Sequence, residues 1–277
     1  MAPVVENGRM GCCVDDSVGD ERYGLSMMTS TAPRKRQPTP WQRTRDTLLD
    51  LVFPPRCAGC RQRGVWLCAD CLALVPPLAP PLCAQCGKPL TISDTPPALC
   101  RSCRHGELPD LDWARAAYPF TGPLREAIHH FKYDKERARA THLGLALLPL
   151  LDRLPQDHSM APLLLIPVPL SAARRRERGY NQAEALAVVL AANSAWPLAT
   201  ALHRTRATPP QIGLNRTARH QNVAGAFTWE GASLAGTRVL LVDDVLTTGA
   251  TANACAVALK EAGAAWVGLV TVARASG

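Results

Sequence analysis

The 277-residue sequence contains no apolar run approaching the roughly 18 residues that a membrane-crossing helix needs. Its N-terminus carries Glu6, Asp15 and Asp16 and lacks an apolar h-region, so a secretory signal is not expected. A secreted disulfide scaffold is therefore a poor explanation for the cysteines. Aromatic residues are only 5%, too few for a rich base-stacking platform. Lysine is scarce, 5 of the 31 basic residues, which leaves 26 arginines. The phosphate loop Gly-x-x-x-x-Gly-Lys-Ser/Thr is missing, so an ATPase has no support.

What is there is a globular composition, 47% hydrophobic, with 11 cysteines and a net charge of +8. At about 150 residues per domain the length favours two domains. Coding bias in a GC-rich genome accounts for some of the arginine, and the planar bidentate guanidinium also suits phosphate. Residues 1–40 show no helical or strand period and read as a disordered tail, with Pro33, Pro38 and Pro40 beside a basic cluster. The plain polar start at Met28 makes 1–27 a candidate over-called gene start. Residues 41–56 read as a short amphipathic helix and linker stopped by Pro54 and Pro55, and 57–110 form a cysteine-rich block.

From 111 to 277 the texture becomes that of an α/β domain. Strands are expected at 113–120, 163–166, 239–242 and 266–272. Helices are expected after Pro123, near 137–154, over 179–195 and over 251–262, the last ending at Gly263. The alternation predicts a parallel sheet with helices on both faces. Residues 203–222 read as a basic, Pro-interrupted loop or lid.

Eight cysteines form four pairs of identical spacing: Cys57/Cys60, Cys68/Cys71, Cys83/Cys86 and Cys100/Cys103. Two residues between thiolates let one tight turn aim both sulfurs at one ion, and two turns close a tetrahedral zinc site. The four pairs supply two structural zinc ions, with sequential pairing preferred over crossed. A redox dithiol is the lesser reading, and Cys255 reads as a small core residue.

Residues 239–251 combine a buried strand, the acid pair Asp243 and Asp244, and a small-residue turn, Thr247, Thr248, Gly249, Ala250 and Thr251, entering a helix. Backbone N–H groups, hydroxyls and the helix dipole make an anion cradle, while two adjacent carboxylates accept hydrogen bonds from neighbouring hydroxyls. A ribose 5-phosphate satisfies both. Upstream, Pro167–Ser171 leads into Arg174, Arg175, Arg176 and Arg178, a cluster suited to a diphosphate, placed at a helix start where it opposes the dipole. Lys132, between Phe131 and Tyr133, is a further candidate for the site. Its competing reading is an exposed cation at an element's end.

These segments together resemble the ComF family. The likeness spans roughly residues 48–274 and rests on Val52–Pro55, the cysteine pairs, Phe131–Tyr133, Pro167–Pro169, Arg178–Gln182, Thr208–Arg219 and the 239–251 loop. It implies a cytoplasmic protein with a double zinc ribbon over 57–110 and a type I phosphoribosyltransferase-like parallel sheet over 111–277. The resemblance gives Asp243 and Asp244 the ribose 2′- and 3′-hydroxyls of phosphoribosyl diphosphate (PRPP). Thr247, Thr248, Gly249, Ala250 and Thr251 would take its 5-phosphate, with Arg174, Arg175, Arg178 and Lys132 nearby and magnesium bridging diphosphate and ribose. It also implies a part in DNA uptake during natural transformation or in nucleotide-related metabolism, with single-stranded DNA and uptake proteins as candidate partners. Three readings stay open: a transferase, a non-catalytic single-stranded DNA-binding factor, and a PRPP sensor.

Overall fold

Period-two alternation in the most apolar stretch sets the centre of the molecule. Leu240 and Val242 point to one side and Val239 and Leu241 to the other, and all four are fully buried. A strand buried on both faces belongs inside a parallel sheet covered by helices. The computed structural model describes residues 54–90, 98–133, 139–155, 163–206 and 225–276. These belong to one unit, Leu49–Gly277. The expected tail over 1–40 and the helix over 41–53 lie outside the described residues.

Among the described residues the sheet has four parallel strands, β1 (Trp113–Pro119), β2 (Leu163–Pro167), β5 (Arg238–Leu246) and β6 (Trp266–Arg274), in the order β1-β6-β5-β2. A short antiparallel pair, β3 (Leu202–Arg204) and β4 (Phe227–Trp229), lies apart from it. Two small helices belong to the cysteine-rich block, α1 (Ala69–Ala73) and α2 (Arg101–Arg104). The others are α3 (Gly122–Tyr133), α4 (Arg139–Leu145), α5 (Leu148–Leu151), α6 (Ala172–Arg178), α7 (Gln182–Ala192) and α8 (Ala250–Glu261).

Each sheet face carries its own core. On one, Leu124, Ile128 and Phe131 of α3 and Leu186 and Leu190 of α7 pack on Leu165, Leu240, Val242 and Val270. On the other, Cys255, Ala256 and Leu259 of α8, with Leu202 and Phe227 of the short pair, pack on Ile166, Val239, Leu241 and Leu269. Cys83, Cys86, Cys100 and Cys103 belong to this second core, whereas Cys57, Cys68 and Cys71 form a small cluster with Val65 and Leu67. The chain leaves β2 toward one face, through α7, and leaves β5 toward the other, through α8. The crevice between the carboxyl ends of β2 and β5 is thus a topological switch point, where open α/β sheets bind ligands.

Two expectations change. The helix expected over 179–195 is α7, and the arginine run is not its start but a separate helix, α6, because Gly179 at φ 79° caps α6 in the left-handed region and Asn181 starts α7 by accepting from Ala183 N at 3.1 Å. Three of the four arginines therefore do not oppose a dipole: Arg175, Arg176 and Arg178 lie in the last turn of α6, where positive charge is favoured, and Arg174 alone sits in its first turn. The chain at 202–204 is strand rather than loop, and 207–222 of the expected lid lies outside the described residues.

Candidate functional site

The sheet ends at a cavity of about 260 Å³ in the predicted crevice. β5 extends four residues beyond Val242, its pairing carried by Asp243 opposite Thr271 and Val245 opposite Ala273. Both acids therefore sit on ordered strand backbone, and both line the cavity. Asp244 N donates to Asp243 Oδ1 at 2.8 Å, which fixes the pair relative to each other. Burial first, and the charge of Asp244 second, push the Asp243 carboxyl from 3.8 to about 7, against the pull of Lys132 and Arg178.

Lys132 closes on this pair, with Nζ 3.0 Å from Asp244 Oδ1 and its side chain only 19% exposed. Its position follows from its neighbours. Phe131 is fully buried beneath α3, its carbonyl accepts from the Tyr180 hydroxyl, and the two rings meet edge to face at 5.7 Å. The last turn of α3 is thereby tied to the loop between α6 and α7.

Ser171 caps α6, its hydroxyl accepting from Arg174 N at 3.3 Å, and Asn181 Nδ2 donates to Val168 O at 3.1 Å. These two bonds brace the chain leaving β2. Arg174 and Arg178 line the cavity beside it. Arg178 Nη1 donates to Gln182 Oε1 at 3.1 Å, while Arg178 Nε and Gln182 Nε2 are buried and have no hydrogen-bond partner among the described residues.

The small-residue turn divides its side chains. Thr247 and Thr251 line the cavity, whereas Thr248 Oγ1 accepts from Ala250 N at 3.3 Å and lines a neighbouring cavity. Gly249 is the N-cap of α8 at φ 84°, and a Cβ there would come within 2.9 Å of Leu108 Cδ2. Only glycine meets both the left-handed backbone and that close approach. Gly249 and Ala250 thus supply backbone rather than side chains to the turn.

Of the residues singled out from sequence, the fold brings Lys132, Arg174, Arg178, Asp243, Asp244, Thr247 and Thr251 to one cavity. Arg175 is elsewhere, exposed, with Nη2 3.3 Å from Glu184 Oε2. Arg204 and Gln182 also line the cavity; the sequence placed Arg204 in the basic loop and Gln182 in the Arg178–Gln182 motif without giving either a place in the site. Gln182 stood next to a helix-capping Asn, a signal that it opens a helix but not that it faces the site. The four cations Lys132, Arg174, Arg178 and Arg204 outnumber the two carboxylates on the wall, so the cavity suits an anion bearing hydroxyls.

The cysteines fall into two quartets, Cys57, Cys60, Cys68 and Cys71, and Cys83, Cys86, Cys100 and Cys103, the sulfurs of each lying within 4.8 Å of one another. The spacings Cys57–Cys68, Cys60–Cys68 and Cys86–Cys100 are all 3.6 Å. A tetrahedron with Zn–S of about 2.3 Å puts its sulfurs about 3.8 Å apart, and a disulfide would hold them at about 2.05 Å. At Cys57 burial opposes the thiolate, but N–H groups of Cys68, Cys60 and Gly59 outweigh it and bring the thiol to about 6. Cys71 moves the other way, burial and the neighbouring sulfurs raising it to about 12. Four thiolates coexist in such a cluster only around a cation, and the donors fit zinc. The pairing is the sequential one.

Comparison with known proteins agrees on both halves. A family model described as a double zinc ribbon domain matches residues 48–104, and a phosphoribosyl transferase domain model matches 168–277. The chain is 33% identical over 226 residues to the DNA utilization protein YhgH of Escherichia coli K12, covering 78% of this chain and 96% of that protein. It is 31% identical over 241 residues to competence protein F of Haemophilus influenzae, covering 80% and 98%. Competence protein ComFC of Bacillus subtilis is 28% identical over 204 residues, covering 72% and 80%. With the two zinc-ribbon quartets, the parallel sheet and these relatives in one chain, the protein belongs to the ComF family.

Proposed function

We propose that the cavity at the ends of β2 and β5 binds the phosphoribosyl group of PRPP, and that the protein acts with this site in the handling of incoming DNA. One arrangement carries the reading: an acid pair and four cations, one of them ion-paired with Asp244, line a single cavity of about 260 Å³. The acids accept hydrogen bonds from ribose hydroxyls. The turn at 247–251 takes the 5-phosphate through backbone N–H groups and the hydroxyls of Thr247 and Thr251. Arg174 and Arg178 face the diphosphate.

In a transfer, the bond from the anomeric carbon to the diphosphate oxygen breaks, and diphosphate leaves with the electron pair. A nucleophilic acceptor then forms the new bond at that carbon. The cations stabilise the leaving charge, a preorganised electrostatic contribution.

A resident magnesium does not fit these side chains. Asp244 is held by Lys132, Asp243 keeps its proton to about 7, and no other carboxylate lines the cavity among the described residues. Magnesium would arrive with the diphosphate oxygens.

A second reading is a non-catalytic protein that binds single-stranded DNA. It draws on the exposed arginines of the zinc ribbons, Arg56, Arg61, Arg63, Arg101 and Arg104, and on the relatives' names. Diphosphate release from PRPP, with and without single-stranded DNA, separates the two. The transferase reading expects release that falls at least a hundredfold in Asp243→Asn/Asp244→Asn. No release under any condition, with salt-sensitive DNA binding kept by the double variant, refutes it in favour of the second. PRPP binding without release identifies a sensor. The cytoplasm, where PRPP is made, is the compartment that the transferase reading requires, and no helix among the described residues is long and apolar enough to cross a membrane.

A further inference from the structure

The two cysteine quartets have unlike surroundings. In the second, Cys83, Cys86, Cys100 and Cys103 are at most 7% exposed and pack in the core of one sheet face. Two guanidiniums brace its first knuckle. Arg274, at the end of β6, donates from Nη1 to Cys86 O at 2.7 Å, and its Nη2 lies 3.6 Å from Cys86 Sγ. Arg115 of β1 donates from Nη2 to Ala84 O at 3.0 Å and from Nη1 to Gln85 O at 3.3 Å. Thiolates that are covered, and that share their charge with a guanidinium, are poor nucleophiles.

The first quartet is built the other way. Cys57, Cys68 and Cys71 are buried, but Cys60 is exposed, and the apolar backing is a small cluster with Val65 and Leu67. Arg61 follows Cys60 directly, and Arg56 and Arg63 pair across the same knuckle as an antiparallel bridge. All three arginines are exposed. An accessible thiolate set among cations is the reactive kind. A second sulfur is within reach, since Cys60 Sγ lies 3.6 Å from Cys68 Sγ, which lies 3.6 Å from Cys57 Sγ. Closing such a gap to the S–S bond of about 2.05 Å takes a movement of about 1.5 Å. An exposed thiolate beside a resolving cysteine is the arrangement that oxidants select.

We propose that the first quartet is a site of oxidative modification by hydroperoxides, with Cys60 the thiolate attacked, and that burial and Arg274 shield the second quartet from the same reagent. The Cys60 sulfur attacks a peroxide oxygen and the O–O bond breaks. The departing oxygen takes a proton and leaves as alcohol, or as water from hydrogen peroxide. Cys60 is then a sulfenic acid. The Cys68 thiolate attacks that sulfur, the S–O bond breaks, and the hydroxide takes a proton and leaves as water. Two thiolates lose two electrons in all, the peroxide gains them, and solvent supplies two protons. The quartet keeps two of its four ligands and gives up its zinc. Both sheet cores are separate from this cluster and stay packed. Nothing in this chemistry depends on what the cavity at β2 and β5 binds.

The test adds hydrogen peroxide to the full-length zinc-loaded chain. A chromogenic chelator follows zinc release, and peptide mass spectrometry maps the disulfides. One zinc per chain should leave at least tenfold faster than the other, with Cys60 joined to Cys68 or Cys57. Cys83, Cys86, Cys100 and Cys103 should still alkylate after denaturation at that stage. Reductant and zinc should restore two ions per chain. Cys60→Ser should abolish the fast phase, and Arg274→Met should speed the slow one at least threefold. If a variant fails to fold, the parent's two rates and its disulfide map decide. Equal rates overturn the proposal, as does a first disulfide within the second quartet. Equally fast release to the chelator without peroxide also overturns it, because that is metal exchange and not oxidation. An unchanged slow phase in folded Arg274→Met overturns the shielding by Arg274.

Discussion

Asp243 carries a proton that ordinary carboxyls lose near pH 4. In the unfolded chain it ionises around 3.8, and in the folded chain it holds its proton to about 7. Between these values the folded state binds more protons than the unfolded state, so this residue makes stability fall as pH rises. The loss is absent below 3.8, accumulates to about 7, and is constant above. Asp243→Asn removes the titration. The variant should be more stable than the parent above pH 7 by roughly 1–3 kcal/mol, with the difference shrinking toward pH 5.5. Thermal melts between pH 5.5 and 8.5, a window that keeps the thiolates on zinc, measure this. A constant difference across the window would show that the carboxyl is not held protonated. The residue thus gives up stability to keep an acid pair beside four cations, as functional sites often do.

At the scale of elements, the last turn of α3 illustrates what a sequence shows and what it withholds. Phe131-Lys132-Tyr133 marked Lys132 as a candidate, but nothing local says that its ammonium meets Asp244. That meeting depends on Tyr180, 49 residues away, whose hydroxyl reaches the carbonyl of Phe131. Tyr180→Phe keeps the buried ring and removes the tether. It should cost about 1 kcal/mol of stability, and ribose 5-phosphate affinity should drop about three- to tenfold, read by calorimetry. Unaltered affinity with the stability loss present would confine Tyr180 to packing. The strands expected at 113–120, 163–166, 239–242 and 266–272 were legible because apolar runs bounded by turns have few other uses in a chain of this composition, whereas the continuation of β5 through the acid pair to Leu246 was not. The cysteine knuckles were legible because two-residue spacing dictates them, but which knuckles share an ion was only a preference, since sequential and crossed pairing use the same spacing. The direction of the arginine run was not, since the break at Gly179 is a backbone event that alanine-rich flanks conceal. Nor was the neighbouring cavity beside Thr248 legible: residues 78 and 274 share no motif, and only the docking of the ribbon onto β6 brings them to one wall.

For the whole molecule, the two quartets carry unequal loads. The first has an exposed member, Cys60, and its own small cluster. The second is buried throughout and belongs to the core of one sheet face, with Leu108 against Gly249 and Arg274 against Cys86. Asp110 adds a link, its N–H donating to Asn253 Oδ1 at 3.1 Å in the first turn of α8. Losing a structural zinc forfeits up to about 10–16 kcal/mol of apparent binding energy, more than a domain's usual stability. The parent chain should contain two zinc ions. Cys60→Ser should leave one, lower the melting temperature, and keep ribose 5-phosphate affinity within about threefold. Cys86→Ser should cost that affinity at least tenfold wherever the protein still melts cooperatively, because the turn at 247–251 loses the surface on which Gly249 rests. Metal analysis, calorimetric melts and ligand titration on the two variants make the comparison. Equal effects on ribose 5-phosphate binding would show that the second ribbon does not support the phosphate turn. The unequal outcome would identify it as part of the site's scaffold, which explains why a ribbon's cysteines are buried among the residues of an α/β core.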